Sequence, residues 1–351
     1  MERALALVSQ AIRVLSGEKG RMIHRIFRLQ CWLVCFSLAA GILLHCLSFV
    51  FAQTNLPAGQ EAPGTLRNRV QQLLEAGKIS EADDKVRQEV TAHGETPETL
   101  FLEGLVLFKQ KRYTESMQRV ERSLAQRQDD PEVYKLLAFN AVLLNRLDVV
   151  ETALKSALEL APDDPIAHFH RGLLYFTTNR FGLAKTEFER VTQLNPKYMK
   201  AYDMLALAEE ELDEDDVIVR TYQQAIELAE QQNLKDESPY LHLAKFLWLR
   251  NRFEESLPAA RKAAAVNPKS SEACYVLGRL LDKLGRDAEA KQVLDQSIRI
   301  DPDYSESYYL LSRIYFRQGR QEEAAKALER FEEGKKRGSQ PQPPGTALRF
   351  Y

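Results

Sequence analysis

Cysteine is scarce and badly placed for stapling a fold. Of the four, Cys31, Cys35 and Cys46 sit in one apolar stretch, and Cys274 stands alone in the rest of the chain. A lone thiol makes no intrachain disulfide, so the body must be held by packing. None of the clustered cysteines follows a small residue preceded by an aliphatic pair, as lipoprotein processing requires. The body also lacks an Asn-x-Ser/Thr sequon, which favours bacterial-type export over passage through a glycosylating lumen. There is no phosphate-binding Gly loop, no nucleophile elbow and no clustered Cys/His set. His93, His168, His170 and His242 lie beyond residue 52 with no evident catalytic partner. His168 and His170 are two apart and do not share a helix face, so no metal site is expected there. The net charge of −2 gives neither sign an excess, and no nucleic-acid partner is expected. Nothing here calls for catalysis or a cofactor, and the chain reads as no enzyme.

The charge is unevenly spread. Arg3, Arg13, Lys19, Arg21, Arg25 and Arg28 outnumber Glu2 and Glu18 in residues 1–52, so a basic head precedes an acidic body. Residues 31–52, CWLVCFSLAAGILLHCLSFVFA, carry no charged side chain and are long enough to span a bilayer as a helix. They also read as a secretory signal: Arg25 and Arg28 are the basic region, 31–44 the apolar region, and Val50-Phe51-Ala52 a cleavage site before Gln53. Met22 offers a second start for it. Cleaved or kept as an anchor, the segment puts the body outside the cytoplasm by the positive-inside rule. The expected address is periplasmic or extracytoplasmic, either secreted or held in the inner membrane by one N-terminal helix. Residues 53–62 read as a linker and 339–351, SQPQPPGTALRFY, as a disordered tail.

Between these ends the chain repeats itself. The small residue Gly172 has counterparts Ala138, Gly104 and Val70 upstream at a spacing of 34, and Ala206 and then, after one slip of four, Ala244, Gly278 and Ser312 downstream, most of them small. Ala184 belongs to the series Ala82, Ser116, Val150, Ala184, Ile218, Ser256, Ala290, Ala324. Phe188 follows Val86, Val120 and Leu154, and precedes Tyr222, Ala260, Leu294 and Leu328. Proline recurs at Pro162, Pro196, Pro268 and Pro302. Units begin at residues 63, 97, 131, 165, 199, 237, 271 and 305 and run to 338. Each holds two runs with apolar residues at i, i+3, i+4 and i+7, which predicts two amphipathic helices. Between the runs stands Gly77, Asn145, Asn179, Asn251, Gly285 or Gly319, residues that tolerate the left-handed conformation ending a helix.

The pattern of Leu173 beside Gly172, Tyr175, Ala184, Phe188 and Pro196, and of Leu277, Gly278, Ala290, Leu294 and Pro302, resembles the tetratricopeptide repeat. The resemblance implies an all-α, right-handed superhelical solenoid of about eight helical hairpins with a concave inner face. It also implies that the second, fifth, ninth and twelfth residues of each unit's first helix line a groove for a protein or peptide partner. Units two to four then offer Phe101, Leu105, Phe108, Phe139, Phe169, Leu173 and Phe176. Units six to eight offer Lys245, Trp248, Tyr275, Arg279, Tyr309, Arg313 and Phe316. One end is apolar-aromatic and the other aromatic-basic, which would suit a peptide with a hydrophobic and an acidic segment. Neither the lysine–asparagine clamp of chaperone-binding members nor the asparagine ladder of glycosyltransferase members is present: Lys135 is followed by Phe139, and Asn68 by Leu102 and Leu136.

Unit five departs most. It offers Lys200, Asp203, Leu207 and Glu210, and its run AEEELDEDD, 208–216, puts Glu209 where an aromatic belongs. Such a run reads as a solvated turn or a site for a cation or basic partner. The last unit has no extra capping helix after it, so its apolar end implies cover by a partner, by self-association, or by the tail. The expected function is a non-catalytic extracytoplasmic scaffold. The alternative is a membrane-anchored accessory subunit organising an envelope enzyme, secretion or assembly complex, with the membrane reached through residues 31–52.

Overall fold

The computed structural model describes residues 66–212 and 215–338. The basic head, the apolar stretch 31–52 with its Ala52–Gln53 junction, the linker and the tail 339–351 lie outside the described residues. Among the described residues every regular element is an α-helix and there is no strand. None of these helices is long and apolar enough to cross a membrane.

Two compact units share this part of the chain, residues 66–196 and 197–338. In the first, α1 (Leu66–Glu75) pairs with α2 (Ile79–His93), α3 (Pro97–Lys109) with α4 (Tyr113–Gln126), α5 (Pro131–Leu143) with α6 (Leu147–Leu160), and α7 (Pro165–Thr177) with α8 (Phe181–Leu194). In the second, α9 (Met199–Glu210) pairs with α10 (Asp215–Gln231), α11 (Ser238–Leu249) with α12 (Phe253–Val266), α13 (Ser271–Lys283) with α14 (Asp287–Ile300), and α15 (Ser305–Arg317) with α16 (Gln321–Gly338). Within each unit the second helix of a pair packs on the first helix of the next. First helices also meet directly: α1 with α3, α3 with α5, α9 with α11, α11 with α13, and α13 with α15.

Local chemistry sets the helix ends. Pro97, Pro131 and Pro165 occupy the first turn, where a missing N–H costs nothing. The Asp164 carboxylate accepts from the N–H groups of Ile166 and Ala167, Asp130 caps α5, and Ser270 caps α13. First helices end in one repeated device. The fifteenth residue of the repeat turns left-handed, and the next N–H reaches back to close the last turn, as Arg180 N does to Tyr175 O at 2.8 Å. Gly77, Asn145, Asn179, Asn251, Gly285 and Gly319 all do this, and so does Lys111, which the Gly/Asn signal had not marked.

Each hairpin closes around a small residue facing a large one. A Cβ at Gly172 would lie 2.6 Å from the Phe188 ring, one at Gly278 2.7 Å from Leu294, and one at Gly104 2.9 Å from Val120. Phe188, Leu294 and Val120 have no exposed surface, and burying such a side chain contributes about 1.5–3 kcal/mol. Where the Ala184 series has serine, the hydroxyl donates to the small residue's own carbonyl: Ser116 to Gly104 O and Ser256 to Ala244 O, both at 2.7 Å.

The last hairpin is closed by its own second helix. α16 has 18 residues against 14 in α14. Its outer face carries Glu322, Lys326, Glu329, Arg330 and Glu333, with ion pairs Lys326–Glu322 and Arg330–Glu333. Where an uncovered apolar end was expected, exposed charged residues line this face of α16. Phe316, 47% exposed, is the large apolar side chain of this hairpin left open to solvent.

Candidate functional site

The two sequence-predicted clusters lie in different compact units and are built differently. In the first, Phe101, Leu105, Phe108 and Phe139 join Val70, Leu74, Leu102, Val133 and Leu136 in one core. Phe169 and Leu173 are buried as well, and only Phe176 keeps partial exposure, edge-on against Phe181 at 5.4 Å. Six of the seven side chains expected to line an open groove therefore fill the packing between neighbouring helices. Charged groups follow the same seam. The Arg67 guanidinium covers the Phe101 ring at 4.6 Å and binds Glu98 at 2.5 Å and Asp130 at 2.7 Å. Lys135, itself buried, binds Asp164 at 2.5 Å.

In the second unit α11, α13 and α15 present the other cluster with its side chains partly exposed. The Arg279 guanidinium lies over the Trp248 ring, 4.0 Å from its centroid, and 5.9 Å from that of Tyr275. Each aromatic is braced from behind: Trp248 by Phe253 of α12 at 4.9 Å, Tyr275 by Tyr304 at 5.3 Å, and Tyr309 by Phe331 of α16 at 5.1 Å. Burial pushes the Tyr275 phenol up. Burial first, and then the Glu272 and Glu306 carboxylates, push Tyr304 far above its ordinary value. Both hydroxyls thus stay protonated and able to donate.

The basic end is less bare than its sequence implies. Asp282, 5% exposed, faces Arg313 at 3.8 Å and is bound by Arg317, which reaches Asp287 at 2.8 Å. Lys245 pairs with Glu272. Asp282 and Glu272 occupy the twelfth and second places of unit seven, so the groove rule that picked Tyr275 and Arg279 contained them too. Arg313 keeps half of its side chain in water. The face is a row of braced rings carrying one stacked and one half-exposed guanidinium. Stacking holds the planar cation in place, so less freedom is lost when it pairs with a carboxylate.

The acidic run of unit five is not simply a solvated turn. Glu209 is buried and accepts from the Thr221 hydroxyl at 2.9 Å; Glu210 accepts from the Tyr222 hydroxyl at 2.6 Å. Asp203 meets His242 at 2.9 Å. Only Glu211 and Asp216 among its described acids are exposed. Thr221 and Tyr222 lie twelve residues beyond Glu209 and Glu210, the hairpin spacing, and that pairing was the signal available.

The remaining candidates are settled by their neighbours. His168 faces Glu187 at 2.7 Å and the Pro162 carbonyl at 2.8 Å; His170 packs edge-on against Phe139 at 4.6 Å, and burial drives its pKa down to about 4. Cys274 is buried and its thiol is pushed up by that burial, which suits an inert packing residue. Among the described residues no group of three or more His, Cys, Asp or Glu side chains is placed to hold a metal ion.

Comparison with known proteins agrees with this hairpin architecture. A tetratricopeptide repeat model matches residues 247–303 and 289–333, and a model of YpiA-like tetratricopeptide repeats matches 143–195. No curated protein matches by sequence. Among solved structures, the APC/C hetero-tetramer Cut9–Hcn1 aligns with a TM-score of 0.56 at 13% identity, over 70% of this chain and 48% of that one. A tetratricopeptide repeat protein from Parabacteroides merdae ATCC 43184 aligns with a TM-score of 0.52 at 14% identity, over 71% of this chain and 97% of that one. The chain thus spans about half the length of the first, and at such identities the likeness is one of fold. Repeat spacing, the left-handed turn at its fifteenth residue, the small-on-large contact at its centre and the family matches converge: the chain carries tetratricopeptide repeats, matched by family models over residues 143–195 and 247–333.

Proposed function

We propose that the chain is a non-catalytic scaffold that holds a peptide or protein segment against the face formed by Trp248, Tyr275, Arg279, Tyr309 and Arg313. The stacking of Arg279 on Trp248 is the observation that carries this reading. A planar cation held on a ring, beside tyrosines braced at 5.3 and 5.1 Å, offers a carboxylate a fixed partner and an apolar side chain a flat surface. The guest that fits is an extended or helical segment with one or two acids among apolar residues.

The scaffold works outside the cytoplasm in this proposal, and the support is the charge pattern around residues 31–52. Cleavage after Ala52 gives a free scaffold of the periplasm or envelope. Retention gives the second reading, an inner-membrane accessory subunit that organises an envelope enzyme, secretion or assembly complex. N-terminal sequencing of the mature protein separates the two: Gln53 as first residue supports the free form, and an intact stretch 31–52 supports the anchored one.

The binding face is tested with a peptide array of acid-containing and acid-free fifteen-residue segments. Binding is expected to select acidic members, and Trp248→Ala or Arg279→Ala is expected to weaken it tenfold or more, because a hydrogen bond to a charged group is worth about 1.5–3 kcal/mol. Lys326→Ala, on the outer face of α16, should leave it unchanged. Peptides bound equally well by all four proteins overturn the assignment.

A further inference from the structure

Unit five contains a polar layer that the binding face does not use. At its twelfth place the repeat has Leu74, Phe108, Val142, Phe176, Trp248 and Phe316, but an acid in two units, Glu210 in unit five and Asp282 in unit seven. At the eleventh it has Leu73, Leu107, Ala141, Tyr175, Leu247, Leu281 and Tyr315, but Glu209. Asp203 stands at the fifth. All three acids of α9 turn toward α10 and α11, where Thr221, Tyr222 and His242 meet them. Tyr222 has no exposed surface, and its ring lies 6.3 Å from that of His242. The layer is small, closed and full of protonatable groups.

We propose that the α9–α10–α11 junction is a proton-controlled joint, tight in acid and looser above neutral pH. The groups that face it are Asp203, Glu209 and Glu210 from α9 with Glu211 just beyond it, Asp215 and Tyr222 from α10, and His242 and Lys245 from α11 with Arg250 just beyond it. Burial raises the Glu210 carboxyl to about 7; the Tyr222 hydroxyl, His242 and Arg250 pull the other way and do not cancel it. Burial by itself would lower His242, but the charge and hydrogen bond of Asp203 raise it above its ordinary value. The signs agree. A folded-state pKa above the unfolded one stabilises at low pH, and that contribution is lost as pH rises through the folded value. Above about 7 Glu210 gains a charge inside a layer already holding two other acids. His242 gives up its proton as pH climbs past its own raised value, and the attraction of Asp203 weakens. Both changes loosen the contact between α9 and its neighbours. No titration is needed in the bracing of the binding face, so the two proposals fail separately.

The test is hydrogen exchange on the full chain at pH 6 and pH 8, corrected for the intrinsic pH dependence of exchange. A carboxyl near 7 when folded and at its ordinary 4.5 when open gives about a ten-fold rise in the opening equilibrium of α9–α11 between those values. Amides of α13–α16 should not share that rise. Glu210→Gln should remove most of it. Tyr222→Phe deletes the donor that favours the charged form, so the midpoint should move to higher pH, an effect that mere packing damage does not produce. Equal opening at pH 6 and 8 in the wild type, or an unchanged step and midpoint in the variants, overturns the proposal.

Discussion

At the scale of a residue, the fold rests on what a single side chain leaves room for. Lys111 holds φ at 63°, where a Cβ crowds the following carbonyl at a cost of roughly 1–2 kcal/mol. Its two N–H bonds, to Phe108 O and from Arg112 to Leu107 O, compel the conformation, so Lys111→Gly should keep them and relieve the strain. Part of the gain is offset by glycine's freedom in the unfolded chain, leaving an expected stabilisation of about 0.5–1 kcal/mol in urea unfolding. Gly172 poses the opposite case. Its neighbour is an aromatic ring, which cannot swing aside as a methyl terminus can, so Gly172→Ala should destabilise by about 1–3 kcal/mol in the same measurement. Adding Phe188→Leu should restore part of the loss. Both sites show what sequence can and cannot disclose. Gly172 advertises its role through its counterparts; Lys111 is dictated by position in the turn, and its own chemistry gives no sign of it.

Elements are joined by ionic contacts as well as by apolar ones, and Asp164 shows how much one can carry. It caps α7 through two N–H groups and shares with Glu132 the pairing of Lys135 of α5, which is 4% exposed. Asp164→Ala should cost about 1.5–3 kcal/mol, because it leaves the buried ammonium with Glu132 as its remaining carboxylate at 2.6 Å and two backbone donors uncapped. Burial raises the Asp164 carboxyl, but the charge and hydrogen bonds of Lys135 more than reverse this and hold it below the ordinary carboxylate range. A depressed folded value stabilises above the unfolded pKa and is lost as pH falls through it, so the penalty of Asp164→Asn should be full at pH 7 and shrink below about pH 4. Unfolding midpoints of the two proteins at pH 7 and pH 3 measure this directly. Amphipathic periods and caps of this kind are local, which is why helix positions could be read in advance. Which groove residues stay exposed could not. Phe101 and Tyr275 share the fifth place of their units, yet one is sealed by α1 and α5 while the other stays partly exposed beside Arg279. That difference depends on the apolar side chains that neighbouring units bring to the position, Val70, Leu74 and Val133 in the case of Phe101, and no residue within the unit encodes it.

Whole repeat arrays are additive to a good approximation: each hairpin contributes its own stability and its contact with the next, and the terminal ones must face water on one side. This places a demand on α16 that its sequence meets, since Glu322, Lys326, Arg330 and Glu333 sit on the outer face while Ala324 and Ala327 turn inward at 8% exposure. With that face polar, Phe316 alone is a small apolar spot, far below the several hundred Å² that mark an association surface. The chain shortened to residues 1–338 and the full chain should therefore have the same oligomeric state in sedimentation, and their urea midpoints should coincide. A shortened chain that self-associates, or melts earlier, would mean that residues 339–351 cover apolar surface on the last hairpin. Phe316→Ser separates those outcomes: it should abolish association driven by that spot and leave a monomer unaltered.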